Sequence, residues 1–146
     1  MTDRTVLESI SRIHLVTTAA TATVFQAACI MARARSGSVL ILDEAGAPRG
    51  IFTERDLLTK VVAKSLDPAV TQVSAVMTRD PVTVGADMKV SDAVLLMKER
   101  RFRHLPVVSP MGKVLGMFSF RDASPREIID AEDMAAQFDE ATDVLA

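Results

Sequence analysis

The sequence predicts an α+β chain of two β-α-β-β-α repeats related by pseudo-twofold symmetry and closed by an acidic C-terminal helix. Three observations carry that expectation. The chain duplicates itself without gaps at an offset of 66 residues, its hydrophobic periodicity changes in the same order twice, and its charge shifts abruptly after residue 124.

The duplication is plainest where GIFTERD at 50–56 recurs as GMFSFRD at 116–122. Sliding 16–56 onto 82–122 also matches Val16 with Val82, Thr17 with Thr83, Val24 with Val90, Ala27 with Ala93, Met31 with Met97, Gly46 with Gly112 and Gly50 with Gly116. A unit of about 60 residues is too small to bury a full core alone, so each copy is expected to pack against the other. Boundaries follow at 1–66 for the first repeat with an N-terminal helix, 67–124 for the second, and 125–146 for the acidic helix.

Each repeat opens on a short β-branched stretch, HLVTT at 14–18 and DPVTV at 80–84, which reads as a strand. Apolar residues then recur on one helical face at Val24, Ala27, Ala28 and Met31, and again at Val90, Ala93, Val94 and Met97. Two short apolar runs follow, VLIL at 39–42 and GIFT at 50–53, joined by DEAG, whose Gly46 can supply the positive φ of a hairpin turn. The second copy has LPVV, SPMG and VLGMFS. Helical spacing returns in LLTKVVAK at 57–64.

The 146 residues are 49% hydrophobic and 25% charged, with a mean hydropathy of +0.23, which describes a globular chain and excludes disorder. A net charge of −2 and a pI near 5.7 give no global reason to expect nucleic acid or an anionic membrane as partner. No apolar run reaches the ~20 residues a membrane span needs, and MTDRTVLESI lacks the features of a signal peptide, so a cytoplasmic location is expected. The single cysteine, Cys29, falls at an apolar helical position with no metal-ligating neighbours and reads as buried filler.

The segments that carry chemistry are Thr53-x-x-Asp56 and Ser119-x-x-Asp122, where a strand turns into a helix. A hydroxyl three residues before a carboxylate makes a capping box, worth about 1 kcal/mol. The same pattern offers N–H groups to a phosphate and a carboxylate to ribose hydroxyls, and the two roles are compatible. Gly50 and Gly116 just upstream fit either close approach of backbone to a ligand or crowded packing.

A basic run, KERRFRH at 98–104, precedes the strand LPVV. Lys98 to Arg101 suit a solvated helix C-terminus, whereas Arg103 and His104 lie past the helix at the mouth of the strand. The first repeat has Ser36, Gly37 and Ser38 at the positions of Phe102, Arg103 and His104 and so lacks their charge, although Arg33 and Arg35 lie close by. Phe102, Leu105 and Pro106 offer apolar surface to a flat ring, and core packing explains Leu105 equally well.

GIFTERD, GMFSFRD, RHLPVV and the VMT before the second copy resemble the cystathionine-β-synthase (CBS) domain family, in particular its bacterial stand-alone members, over residues 10–124. The resemblance implies a tandem pair that binds an adenine nucleotide in the cleft between repeats, with AMP, ADP or ATP as the first candidates and NAD and S-adenosylmethionine as further ones. It implies that Asp122 and Asp56 hold ribose, that Ser119 and Thr53 lie near phosphate, and that Arg103 and His104 meet phosphate. Phe102, Pro106, Gly116 and Gly50 complete the expected ligand-binding set. It also implies a homodimer formed through helices and an effector protein that reads a change of conformation or assembly.

The sequence has no GxxxxGK[ST], HExxH, GxSxG or CxxC, and its two histidines, His14 and His104, fall in different repeats, so a regulatory binding module is expected rather than an enzyme. The alternative is a structural dimerisation module whose T/S-x-x-D segments only cap helices. Nucleic acid, motivated by the 98–104 run alone, is not expected as a partner.

After Asp122 the chain reads Ala123-Ser124-Pro125-Arg126-Glu127, which ends any helix and supplies an N-cap, an N1 proline and an N3 acid for a new one carrying Ile128, Phe138 and Leu145. Residues 125–146 hold seven acids and one base, a net −6 against +4 for the residues before them. Such a helix either packs on its own domain, docks on a partner subunit, or lies near the basic mouth in competition with an anionic ligand.

Overall fold

The computed structural model describes residues 4–10 and 15–145, with side chains described through residue 138. His14, and the side chain of Leu145, therefore lie outside the described residues. In chain order the elements are α1 (Val6–Ser9), β1 (Thr17–Thr18), α2 (Val24–Ala34), β2 (Ser38–Leu42), β3 (Pro48–Thr53) and α3 (Glu54–Asp56). A π-helical run (Leu57–Val62) and a 3-10 turn (Val73–Ala75) follow. Then come β4 (Thr78–Arg79), β5 (Val84–Gly85), α4 (Val90–Arg100), β6 (His104–Val108), β7 (Val114–Ser119), a 3-10 turn (Phe120–Asp122) and α5 (Pro125–Leu145).

The strands form two sheets, ordered β1-β2-β3-β4 and β5-β6-β7. β1 runs parallel to β2 with Thr18 opposite Ile41, and β5 runs parallel to β6 with Val84 opposite Val107, the same register moved by the repeat offset. The hairpin glycines adopt the expected left-handed conformation, Gly46 at φ 83° and Gly112 at φ 86°. In the first turn Asp43 Oδ1 accepts from the N–H groups of Ala45 and Ala47, both at 2.9 Å.

Val24, Ala27 and Met31 on α2 and Val90, Ala93, Val94 and Met97 on α4 are buried as their spacing requires, whereas Ala28 is only half-buried. Thr23 caps α2 through a reciprocal pair with Gln26. Phe52 and Phe118, equivalent positions in β3 and β7, are both fully buried. Cys29 is half-buried beside this stripe.

Three expectations change. The strand at 80–84 shortens to Val84–Gly85, because Asp80 is left-handed at φ 47° and Pro81 has no N–H to donate. The helix expected at 57–64 begins earlier, at Glu54, and continues from Leu57 to Val62 with π-type bonds such as Ala63 N–H to the Leu58 carbonyl at 2.9 Å. Within that run the Thr59 hydroxyl donates to the Arg55 carbonyl at 2.8 Å, competing with the backbone for that acceptor.

The third change concerns which segments belong together. The described parts of 14–82 with 110–114 form one compact unit, and those of 1–13, 83–109 and 115–146 form the other. The N-terminal segment thus joins the second repeat rather than the first. Backbone bonds explain this: Val6 N–H donates to the Met88 carbonyl and Val90 N–H to the Arg4 carbonyl, with Thr5 bridged to Lys89. In the other unit Val73 N–H donates to the Ala22 carbonyl and Val24 N–H to the Thr71 carbonyl, with Gln72 bridged to Thr23. Residues 4–10 and 71–77 therefore do the same work in the two units, one completing each. Val6 and Val73, the apolar anchors of the two segments, are both fully buried.

After Asp122 the helix stops and restarts as the sequence predicts. Ser124 N–H donates to Glu127 Oε1 at 2.8 Å, Glu127 N–H donates to Ser124 Oγ at 3.3 Å, and Pro125 stands at N1. The acidic helix packs on its own unit, with Ala131 buried and Glu132 paired with Lys98 of α4 at 3.0 Å.

Candidate functional site

Both T/S-x-x-D segments form capping boxes. Thr53 N–H donates to Asp56 Oδ2 at 3.0 Å and Asp56 N–H to Thr53 Oγ1 at 3.2 Å. In the second repeat Ser119 N–H donates to Asp122 Oδ2 at 2.8 Å, while Ser119 Oγ accepts from Arg121 N–H at 3.4 Å.

The two carboxylates differ in what else they hold. Asp56 is 7% exposed, and its Oδ1 takes Lys60 Nζ at 3.1 Å and the Thr78 hydroxyl at 3.4 Å. Asp122 is half-buried, and its Oδ1 takes no hydrogen bond from any described residue. The restart of the chain at Ser124-Pro125 causes the difference. In the first repeat the helical run continues and Lys60 reaches back one turn to Asp56. Its counterpart Arg126 belongs to α5 and pairs forward with Asp130 at 3.4 Å.

Three further expected residues of the second repeat, Phe102, Arg103 and His104, lie at the entry of β6. Phe102 is half-buried behind α4, where its N–H donates to the Met97 carbonyl at 3.0 Å. Arg103 is exposed, with its guanidinium 4.8 Å from the centre of the Phe120 ring. The Arg103 carbonyl accepts Phe120 N–H at 2.9 Å, which ties the entry of β6 to the turn carrying Asp122. His104 is half-buried at the first position of β6. The equivalent backbone bond in the first repeat, Glu54 N–H to the Gly37 carbonyl at 3.0 Å, brings no charge with it because Gly37 has no side chain.

Burial, followed by the nearby positive charges of Arg121 and Arg103, pushes the His104 pKa down from 6.5 to about 4. The ring is therefore neutral near pH 7, able to donate from one nitrogen and accept at the other. Because the folded-state pKa is depressed, the unfolded chain takes up this proton more readily. The stabilising contribution is complete above pH 6.5 and is lost as pH falls from 6.5 through 4. Urea unfolding followed against pH is expected to show wild type losing up to about 3 kcal/mol more than His104→Gln between pH 7 and 4. Equal acid sensitivity of the two proteins contradicts this.

Three expected ligand residues are buried. Pro106 is buried inside β6, where it faces packing rather than an open surface. Gly116 is buried against Ile10, and a Cβ added there would lie 3.1 Å from Ile10 Cδ1. Gly50 is buried beneath Met77, whose Cγ would lie 2.9 Å from such a Cβ. Of the two readings open for these glycines, crowded packing is the one the contacts support. Phe120, Arg121, Lys60 and Thr78 were not in the expected set. Thr78 belongs to the VMT motif, and Lys60 stands four residues after Asp56, so both left a trace in the sequence.

No group of three or more metal-ligating residues occurs among the described residues, and no helix among them is long and apolar enough to cross a membrane. Two repeats of matching register, each ending in a strand, a T/S-x-x-D cap and a helical turn, define a tandem CBS pair. The chain belongs to the CBS domain family, whose model matches residues 7–63 and 73–124.

It is 36% identical over 113 residues to an uncharacterized protein of Methanopyrus kandleri, covering 77% of this chain and 58% of that protein. It is 42% identical over 95 residues to a CBS domain-containing protein of Arabidopsis thaliana, covering 65% of this chain and 18% of that one. The chain thus spans less than two thirds of either relative. Among solved structures, a CBS domain protein of Pyrobaculum aerophilum complexed with AMP superposes with a TM-score of 0.78 at 26% identity, covering 88% of this chain and 98% of that one.

Proposed function

We propose that this chain is a non-catalytic regulatory module that binds an adenosyl ligand, and that the second repeat carries the principal site. The carrying observation is the uncommitted Oδ1 of Asp122, whose Oδ2 is held by the Ser119 cap, on a turn that hydrogen-bonds to Arg103 at the entry of β6. A carboxylate with one oxygen fixed and one open can accept from ribose hydroxyls, and a planar guanidinium suits a phosphate. The bound AMP of the Pyrobaculum neighbour supports the ligand class. In this reading Thr53 and Asp56 cap a helix, and ligand binding is reported by a change of conformation or of a homodimer to an effector protein in the cytoplasm.

Calorimetry of the full chain with AMP, ADP, ATP, NAD and S-adenosylmethionine tests the proposal, alongside sizing with and without ligand. Saturable binding of at least one, at one strong site per chain, is expected. Failure to bind any of the five leaves the capping boxes as purely structural devices and favours a dimerisation module.

A further inference from the structure

We infer that Arg4 is a positioning residue for the Asp122 site, and that through it the site distinguishes ribose from deoxyribose ligands. The inference deepens the proposed function and rests on it. Arg4 Nη2 donates to Glu127 Oε1 at 2.7 Å and to the Asp122 main-chain carbonyl at 3.1 Å, while its Nε donates to Glu127 Oε2 at 3.2 Å. One planar guanidinium thus grips the first turn of α5 and the backbone of the residue whose carboxylate is the ribose candidate.

The second repeat needs such a clamp and the first does not. Asp56 is followed by Leu57 in right-handed helical conformation, and the π-helical run continues the helix beyond it. After Asp122, Ala123 is extended at ψ 140° and the helix is broken, so residues 122–124 have lost the helical continuation that steadies Asp56. Arg4 supplies a donor where the helix withdrew one. The equivalent of Arg4 in the segment completing the first unit is Thr71, which has no guanidinium.

Electrostatics keep the clamp closed. The hydrogen bond to Glu127 raises the Arg4 pKa, and the hydrogen bond from Arg4 holds the Glu127 carboxyl below the usual carboxylate range. The Arg4 side chain is 39% exposed, so its charge is partly screened and its contribution is mainly geometric. Arg4 need not touch ligand. It fixes where Asp122 Oδ1 points, and a carboxylate misplaced by a fraction of an ångström loses ribose hydroxyls before it loses the rest of a nucleotide.

The test compares AMP with 2′-deoxyadenosine 5′-monophosphate by calorimetry on the full chain, for wild type, Arg4→Met, Glu127→Gln and Asp122→Asn. Wild type is expected to prefer AMP by about tenfold or more, the worth of one charge-assisted hydrogen bond. Arg4→Met is expected to reduce that ratio to within about twofold of Asp122→Asn, with AMP losing about tenfold more affinity than the deoxynucleotide, which has only its 3′-hydroxyl contact to lose, and with Glu127→Gln in between. A role in stability alone lowers both affinities by the same factor, and that outcome, which is an unchanged ratio in Arg4→Met, overturns the inference. If Arg4→Met does not fold, Arg4→Lys keeps the charge without the fork and is expected to show the same loss of ratio. Binding by wild type without discrimination removes Asp122 as the ribose carboxylate, and the role of Arg4 falls with it; absence of binding instead removes the ligand itself.

Discussion

Asp122→Asn is expected to weaken adenine-nucleotide binding by about 100-fold while moving the melting temperature by no more than about 2 °C. Asparagine keeps the size of the side chain and an oxygen able to accept Ser119 N–H, so the capping interaction at 2.8 Å survives. What is lost is the charge and the second acceptor. Two charge-assisted hydrogen bonds to ribose are worth about 3 kcal/mol together, which corresponds to roughly two orders of magnitude in affinity.

Asp56→Asn is expected to behave in the opposite way. Its carboxylate is buried and bonded to Thr53 N–H, Lys60 and Thr78, so neutralising it breaks internal partners and leaves the ligand untouched. A loss of about 1 kcal/mol of stability with unchanged nucleotide affinity is the expected result, because Lys60 is partly exposed and its ion pair partly screened. Titration calorimetry and urea unfolding on both variants decide the matter. Equal loss of affinity in the two would place ligand at both repeats, and loss in Asp56→Asn alone would move the principal site to the first.

The inequality of the repeats was legible from the residues at 36–38 and 102–104, since Ser36, Gly37 and Ser38 offer neither the guanidinium of Arg103 nor the imidazole of His104. That Asp122 is open was not legible, because it depends on where a cation four residues later ends up. Lys60 and Arg126 occupy equivalent positions and carry the same charge. Pro125, between Asp122 and Arg126, separates their fates: the sequence predicts the helix restart there, and its effect on the carboxylate is a matter of three-dimensional reach.

The N-terminal segment was obscured for a different reason. RTVLESI at 4–10 matches TQVSAVM at 71–77 at an offset of 67, one more than the 66 of the main repeat, so a gapless comparison does not register it. The one-residue slip falls between residues 10 and 16. With that slip allowed, Ile10 and Met77 become equivalent, and so do the glycines beneath them.

Those pairs support the last prediction. Gly50 faces Met77 and Gly116 faces Ile10, each glycine lying in a hairpin strand and each partner in the segment that completes its unit. Neither glycine has a positive φ, so backbone freedom is not what the position requires. Room is what it requires. Gly50→Ala puts a methyl group into van der Waals overlap with the buried Met77 side chain, which must then shift, so a loss of about 2 kcal/mol is expected.

Met77→Ala alone leaves a cavity and is expected to cost about 2–3 kcal/mol. Combined, the two changes relieve one another, because the shortened side chain vacates the volume that the new methyl group takes. The double variant is therefore expected to be more stable than the sum of the singles by about 1–2 kcal/mol in urea unfolding. Additive losses would mean that Gly50 answers to something other than Met77, and would return the approach of a ligand to the backbone as its reason. Gly116→Ala is expected to cost less, about 1 kcal/mol, since its new methyl group would meet the end of Ile10 at 3.1 Å rather than overlap it.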